Sequence, residues 1–137
     1  ADAVHLSSSA VNRRIAAMEA AGVITANVAV VDPARVGRPI TIIAEVTVES
    51  ERLDLLDAVK RRLADCPQVQ QVYYVTGEVD FVAILTVKDM DEYVELSREL
   101  FFTGGNVKSF KTLVAMERAK VGLDVELSAP RPRTPSH

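Results

Sequence analysis

The chain has 137 residues, a formal net charge of −3 and 48% apolar residues, enough to bury a core in one or two small domains. That charge excludes nucleic-acid binding by bulk attraction, so any DNA contact must come from local clusters. One cysteine, Cys66, excludes an intrachain disulfide and a cysteine-based zinc site and fits a reducing, cytoplasmic setting; no apolar run approaches the roughly 20 residues that span a bilayer.

In chain order, Leu6–Ile15 comes first. Three serines, Ser7 to Ser9, stand where a helix should start and offer hydroxyls to its unpaired first amides. Val11, Ile15, Met18 and Gly22 recur at helical spacing as a face that can bury. Ser9, Asn12, Arg13 and Ala16 fall opposite, on a thin, polar and cationic face suited to a major groove. An ordinary amphipathic helix with a solvated arginine pair has the same spacing.

Thr25–Val31 is β-rich without a clear face and reads as a linking strand, punctuated by Asp32-Pro33 and Gly37-Arg38-Pro39. Ile40–Val48 alternates as a half-buried strand should. Arg52–Ala64 reads as a helix with Leu53, Leu56, Val59 and Leu63 on one face and Lys60, Arg61 and Arg62 largely away; Pro67 ends it. Val69–Thr76 is the next strand, Gly77-Glu78 breaks it, and the apolar Val79–Val87 suggests a central strand. Asp89 caps a further helix in a capping-box-like arrangement with Glu92. Its expected stripe is Met90, Tyr93, Leu96 or Ser97, Leu100 and Phe101. Thr103-Gly104-Gly105-Asn106 closes it, and Val107–Met116 is the last strand.

Strand-helix-strand twice is the split βαβ order, so the fold class is α+β: a ferredoxin-like βαββαβ unit with both helices on one face. The other sheet face, β-branched and aromatic, calls for a partner, and dimerisation by face-to-face sheets is expected. Ala129–His137, rich in proline and arginine, is expected to be disordered.

Ser7-Ser8-Ser9-Ala10-Val11-Asn12-Arg13-Arg14-Ile15, followed by Met18-Glu19 and Gly22-Val23-Ile24, resembles the second half of the winged helix-turn-helix of Lrp/AsnC (leucine-responsive/asparagine-type, feast/famine) regulators. Ser8 stands where proline is common and Met18 where leucine is usual. Asp32-Pro33 with Val36-Gly37, Thr76-Gly77-Glu78-Val79-Asp80, and Thr112-Leu113-Val114 extend the resemblance over about Ala1 to Lys120. It implies a partial helix-turn-helix over 1–24, a linking strand and loop over 25–38, a ferredoxin-like sensing and oligomerisation domain over 39–120, and a tail over 121–137. Ala1–His5 resembles the tail of the preceding helix, so a truncated chain with an incomplete DNA-binding domain is expected.

Under that resemblance Ser9, Asn12 and Arg13 face base edges, while Ser7 and Arg14 are better placed for phosphates. The loop Thr76, Gly77, Glu78, Val79 and Asp80 is a hairpin turn on composition alone. A free amino acid, however, needs donors at its carboxylate and an acceptor at its ammonium, and Thr76, Gly77 and Asp80 supply both kinds of group within five residues. The resemblance assigns this loop to an amino-acid effector site between dimers, which often assemble to octamers, with Thr103, Gly104 and Asn106 approaching from a neighbouring subunit. The paired glycines there depart from the common pattern, and a glycine helix cap is the plainer reading. Tyr74 is core, dimer face or pocket wall.

Catalysis has little to stand on. His5 and His137 lie at the two ends, no glycine-rich phosphate loop precedes a helix, and no cofactor is implied beyond the amino-acid ligand. The reading is a DNA-binding regulator of amino-acid metabolism. Its rivals are a stand-alone amino-acid-binding assembly module and a small ferredoxin-fold enzyme.

Overall fold

Alternation makes the first strand. In the computed structural model, which describes residues 8–127, Ile42, Ala44, Val46 and Val48 of strand β1 (Ile40–Val48) are buried while the residues between them are half-covered. Strand β3 (Phe81–Val87) repeats the pattern through Phe81, Ala83, Leu85 and Val87. Strands β2 (Val69–Tyr74) and β4 (Val107–Val114) flank the pair in the order β2-β3-β1-β4, all antiparallel. That is the ferredoxin-like order expected.

Helices α2 (Leu53–Ala64) and α3 (Met90–Ser97) cover one face of this sheet. Leu56, Val59 and Leu63 of α2 join Tyr93, Leu96, Leu100 and Phe101 and the inward strand residues in one core. Phe101 stacks on Phe110 of β4 with ring centroids 4.4 Å apart. Tyr93 meets Thr112 through a 2.7 Å hydroxyl pair; burial raises its phenol pKa, and that bond opposes the shift. Asp89 accepts from the Glu92 amide, as the capping pattern requires. The Glu92 carboxylate reaches back to the amide of Lys88, one residue before the cap. Beyond α3 the chain widens into a π turn, Arg98–Thr103.

Helix α1 (Ser8–Ala20) is present with Val11, Ile15 and Met18 half-covered and Ser9, Asn12, Arg13 and Ala16 exposed. Gly22 is not part of its buried face. It lies past the end at φ 79, where Val23 donates to the Met18 carbonyl and Gly22 to that of Glu19, the left-handed stop that glycine permits.

Three further expectations are corrected. Thr25–Val31 forms no strand: its backbone finds no pairing partner among the described residues, and Val28, Val30 and Val31 are exposed. Leu53 and Met90, assigned to buried stripes, sit on the first turn of each helix and face outward. Strands end earlier than the apolar runs suggest, so 75–80 is a six-residue loop that excludes Val75, Thr76, Val79 and Asp80 from the ladder. Part of the outward sheet face, for which a partner is expected, is bordered by the chain's own later residues. Thr41, Ile43, Gln71 and Ile84 border a hollow of about 350 Å³ whose far wall is the segment 115–122, and Thr41 Oγ1 is buried there without a hydrogen-bond partner among the described residues. Residues 121–127 carry no regular structure; the expected disorder of Ala129–His137 lies outside the described residues.

Candidate functional site

The strand directions decide where the loops go. Strand β1 runs out of the sheet at the end where β3 and β4 begin and β2 stops. Two loops far apart in sequence, 76–80 and 103–106, therefore flank the same short exit, Val48–Ser50.

Asp80 ties the first loop down. Its amide donates to the Val46 carbonyl at 2.9 Å, and its Oδ2 accepts from the Val48 amide at 2.9 Å. Strand β3 begins only at Phe81, opposite Val46, so the carboxylate stands in for the strand carbonyl that the Val48 amide would otherwise meet on that side. Asp80 thus has a structural task that the sequence did not reveal, while its second oxygen has no protein donor among the described residues. Val75 donates to the Asp80 carbonyl and closes the loop's neck. Gly77 holds φ 123, a conformation that side chains rarely adopt. Thr76 and Glu78 are exposed, and Val79 is half-buried. Tyr74 is mostly exposed with its ring 5.2 Å from Phe81, so it is a wall at the sheet's end and not core.

Asn106 ties the second loop. At φ 59 its side chain acts as a surrogate strand: Oδ1 accepts from the Ser50 amide at 2.8 Å, and Nδ2 donates to the Ser50 carbonyl at 3.1 Å. Asparagine tolerates that left-handed backbone better than most residues. Thr103 spends its hydroxyl on the carbonyls of Arg98 and Glu99 and terminates the π turn. Gly104 remains in the right-handed region, and Gly105, at φ 81, makes the turn. The glycine-cap expectation therefore applies to Gly105.

One participant was missed. Arg62, expected to lie away from the core, is half-buried against the second loop and donates to three carbonyls: Leu100 at 3.0 Å, Gly104 at 2.8 Å and Gly105 at 2.8 Å. Desolvation lowers its pKa from the ordinary arginine value. Its place three residues after buried Val59 was the available signal, since that spacing puts it beside the apolar stripe.

The larger hollows lie elsewhere. One of about 670 Å³ runs between the end of α2 and α3, lined by Arg62, Cys66, Gln68, Glu92 and Leu96 among others, and takes in neither loop. Cys66 there donates weakly to Gln68. No metal-binding cluster occurs among the described residues, and no described helix is long and apolar enough to cross a membrane.

At the other end of the chain, Arg13 and Arg14 are exposed on α1 and make no ion pair among the described residues. Ser9 and Asn12 are exposed beside them, whereas Ser7 lies outside the described residues.

A cationic helix ahead of a ferredoxin-like sandwich defines a class: transcriptional regulators that join a helix-turn-helix to a ligand-binding domain. Comparison with known proteins gives the family. Residues 41–124 match the Lrp/AsnC ligand binding domain, and residues 1–25 match a winged helix-turn-helix DNA-binding domain. An uncharacterised HTH-type transcriptional regulator of Sinorhizobium fredii is 43% identical over 127 residues, covering 93% of this chain and 75% of its own. Among solved structures, an AsnC family transcriptional regulator from Agrobacterium tumefaciens superposes with TM-score 0.78 at 26% identity, over 89% of this chain and 79% of that one. A Neisseria meningitidis regulator solved as its L-methionine complex shares the fold with TM-score 0.78 at 20% identity and the same coverage. The chain belongs to the Lrp/AsnC family of transcriptional regulators, which are not enzymes.

Proposed function

We propose that this regulator reads DNA through α1 and senses a free amino acid at the sheet end where loops 76–80 and 103–106 meet. The carrying observation is that Asp80 and Asn106, 26 positions apart, both fasten onto the exit of β1, at Val48 and Ser50. The unused oxygen of Asp80 offers an acceptor for the ammonium. Thr76, the backbone around Gly77, Glu78 and Val79, and the loop of Thr103, Gly104 and Asn106 offer donors and walls, with Tyr74 alongside. The L-methionine complex of a protein with this fold supports an amino-acid ligand class. The division into a DNA-binding part (1–24), a linker (25–38) and a sensing part (39–120) belongs to the same reading.

The hollows of about 670, 680 and 350 Å³ are lined by other residues than these loops, which agrees with a site completed by a second subunit. Homodimers pair through the outward sheet face and assemble further, to octamers in the form the family resemblance implies, in the cytoplasm. Effector binding between dimers then favours one assembly, and operator affinity follows because paired helices must meet half-sites about 34–36 Å apart. Asn12 and Arg13 read base edges, with Ser9 beside them; Arg14 and Ser7 hold phosphates.

The test has two arms. A thermal-shift panel of the twenty L-amino acids identifies a ligand by the stabilisation it confers on the native state. In operator titrations, Arg13→Ala relaxes base preference, and Arg14→Ala reduces the salt slope by about one. A chain indifferent to every amino acid and to DNA refutes the reading.

A further inference from the structure

We propose that Arg62 is a positioning residue for the effector loop: its forked contacts fix the peptides after Gly104 and Gly105, so that the conformation of helix α2 and that of loop 103–106 are coupled. This deepens the amino-acid-sensing reading and rests on it for the ligand.

The geometry is specific. Nε, Nη1 and Nη2 each donate to a different carbonyl, those of Leu100, Gly104 and Gly105. A planar guanidinium satisfies three such acceptors only when they sit in one arrangement. In a trans peptide the carbonyl and the following amide point in opposite directions. Turning the Gly104 and Gly105 carbonyls onto Arg62 therefore turns the Gly105 and Asn106 amides away from it, and neither amide donates to a protein acceptor among the described residues. Gly104 in the right-handed and Gly105 in the left-handed region is the succession that gathers amides toward an anion. An effector carboxylate is the anion that the proposed site brings.

The sequence carries the reciprocal half of the contact. A Cβ built on Gly104 overlaps the Arg62 guanidinium. A long side chain normally moves aside from such a clash, but this one is held by three hydrogen bonds. Arg62 and Gly104 therefore require each other. Lysine at position 62 keeps the charge and loses the fork.

The experiment measures two things on the full chain. The amide resonances of Gly105 and Asn106, present in every variant, report loop order by ¹⁵N relaxation, with no ligand present. In a cycle of Arg62→Ala, Gly104→Ala and the double variant, each single change mobilises the loop, and the second adds little to the first. Equal, additive effects, or an ordered loop in Arg62→Ala, overturn the proposal. With the amino acid that the panel identifies, Arg62→Lys weakens binding about tenfold, as expected for losing a well-aimed donor to a charged group, while the unliganded melting temperature moves little. Unchanged affinity in Arg62→Lys also overturns it. If no amino acid binds the wild-type chain, the sensing reading fails, and the relaxation cycle still decides whether Arg62 orders the loop.

Discussion

Asp80 carries two separable duties, and substituting it in two ways separates them. Asp80→Ala strips the Val48 amide of its 2.9 Å acceptor. Val48 is 6% exposed, and the β3 pairing stops at Val46, leaving it without a ladder carbonyl on that side, so water compensates poorly. A lost hydrogen bond to a charged acceptor, with the donor left unsatisfied, costs about 1.5–3 kcal/mol. For a sensing part of this size that is a fall in melting temperature on the order of 10 °C. Asp80→Asn keeps an acceptor oxygen for Val48, so its cost should stay below about 1 kcal/mol. It also replaces the second oxygen with a donor, which faces an incoming ammonium with the wrong partner. The expected pattern is thus a destabilised alanine variant and a stable asparagine variant that no longer responds to the amino acid. Urea unfolding at one fixed protein concentration reads the first, since assembly makes stability concentration-dependent; calorimetric titration reads the second. If Asp80→Ala unfolds at the wild-type midpoint, the carboxylate does not complete the sheet. If Asp80→Asn binds the effector normally, it does not hold the ammonium.

Two further outcomes follow from other parts of the fold. Hydrogen bonds from the Lys88 amide foremost, then Gln68, with the Arg38 charge, hold the Glu92 carboxyl below the ordinary glutamate range, partly opposed by desolvation. A pKa depressed in the folded state stabilises above the unfolded value and loses that contribution as pH falls through the folded one. The stability gap between wild type and Glu92→Gln should therefore be full near neutrality and shrink below about pH 4.3; a gap independent of pH from 7 to 3 removes the charge from the argument. On the outward face, Val82 lies between Glu45 of β1 and Tyr73 of β2. Val82→Lys can pair locally with Glu45 and keep the fold, yet it charges the surface that the proposed face-to-face dimer uses; under that proposal sedimentation should show dimers for the wild type and monomers for the variant at the same concentration. Dimers in that variant exclude this face from the interface.

Burial pattern made the core readable in advance. Strand β1 and the α3 cap follow from alternation and from an Asp three residues before a Glu, because both depend on neighbours in sequence. What stayed hidden depends on partners far away. Nothing local says that Asp80 must replace a carbonyl for Val48, 32 positions earlier, or that Asn106 must imitate a strand for Ser50, 56 positions earlier. Thr25–Val31 has strand composition but no strand beside it among the described residues, and composition cannot supply one. Arg62 was misread because a helix flank belongs to neither the buried nor the exposed face until the neighbouring loop is known.

The Asp80 and Asn106 contacts converge on the exit of β1, and this bears on how a small ligand acts on the proposed assembly. A ligand that binds every assembly equally well shifts nothing, however tight its binding. Under the proposed mechanism the site must therefore differ between assemblies, as it would when one chain supplies only part of it. Within one chain, loop 76–80 is fastened to Val48, loop 103–106 to Ser50, and the latter again to α2 through Arg62. An amino acid gripping both loops, or one loop from each of two subunits, thus meets a backbone already set by the sheet and has little ordering cost to overcome. Its binding energy can then go into choosing between subunit arrangements, and loosening either fastening should weaken that choice even where the amino acid still binds.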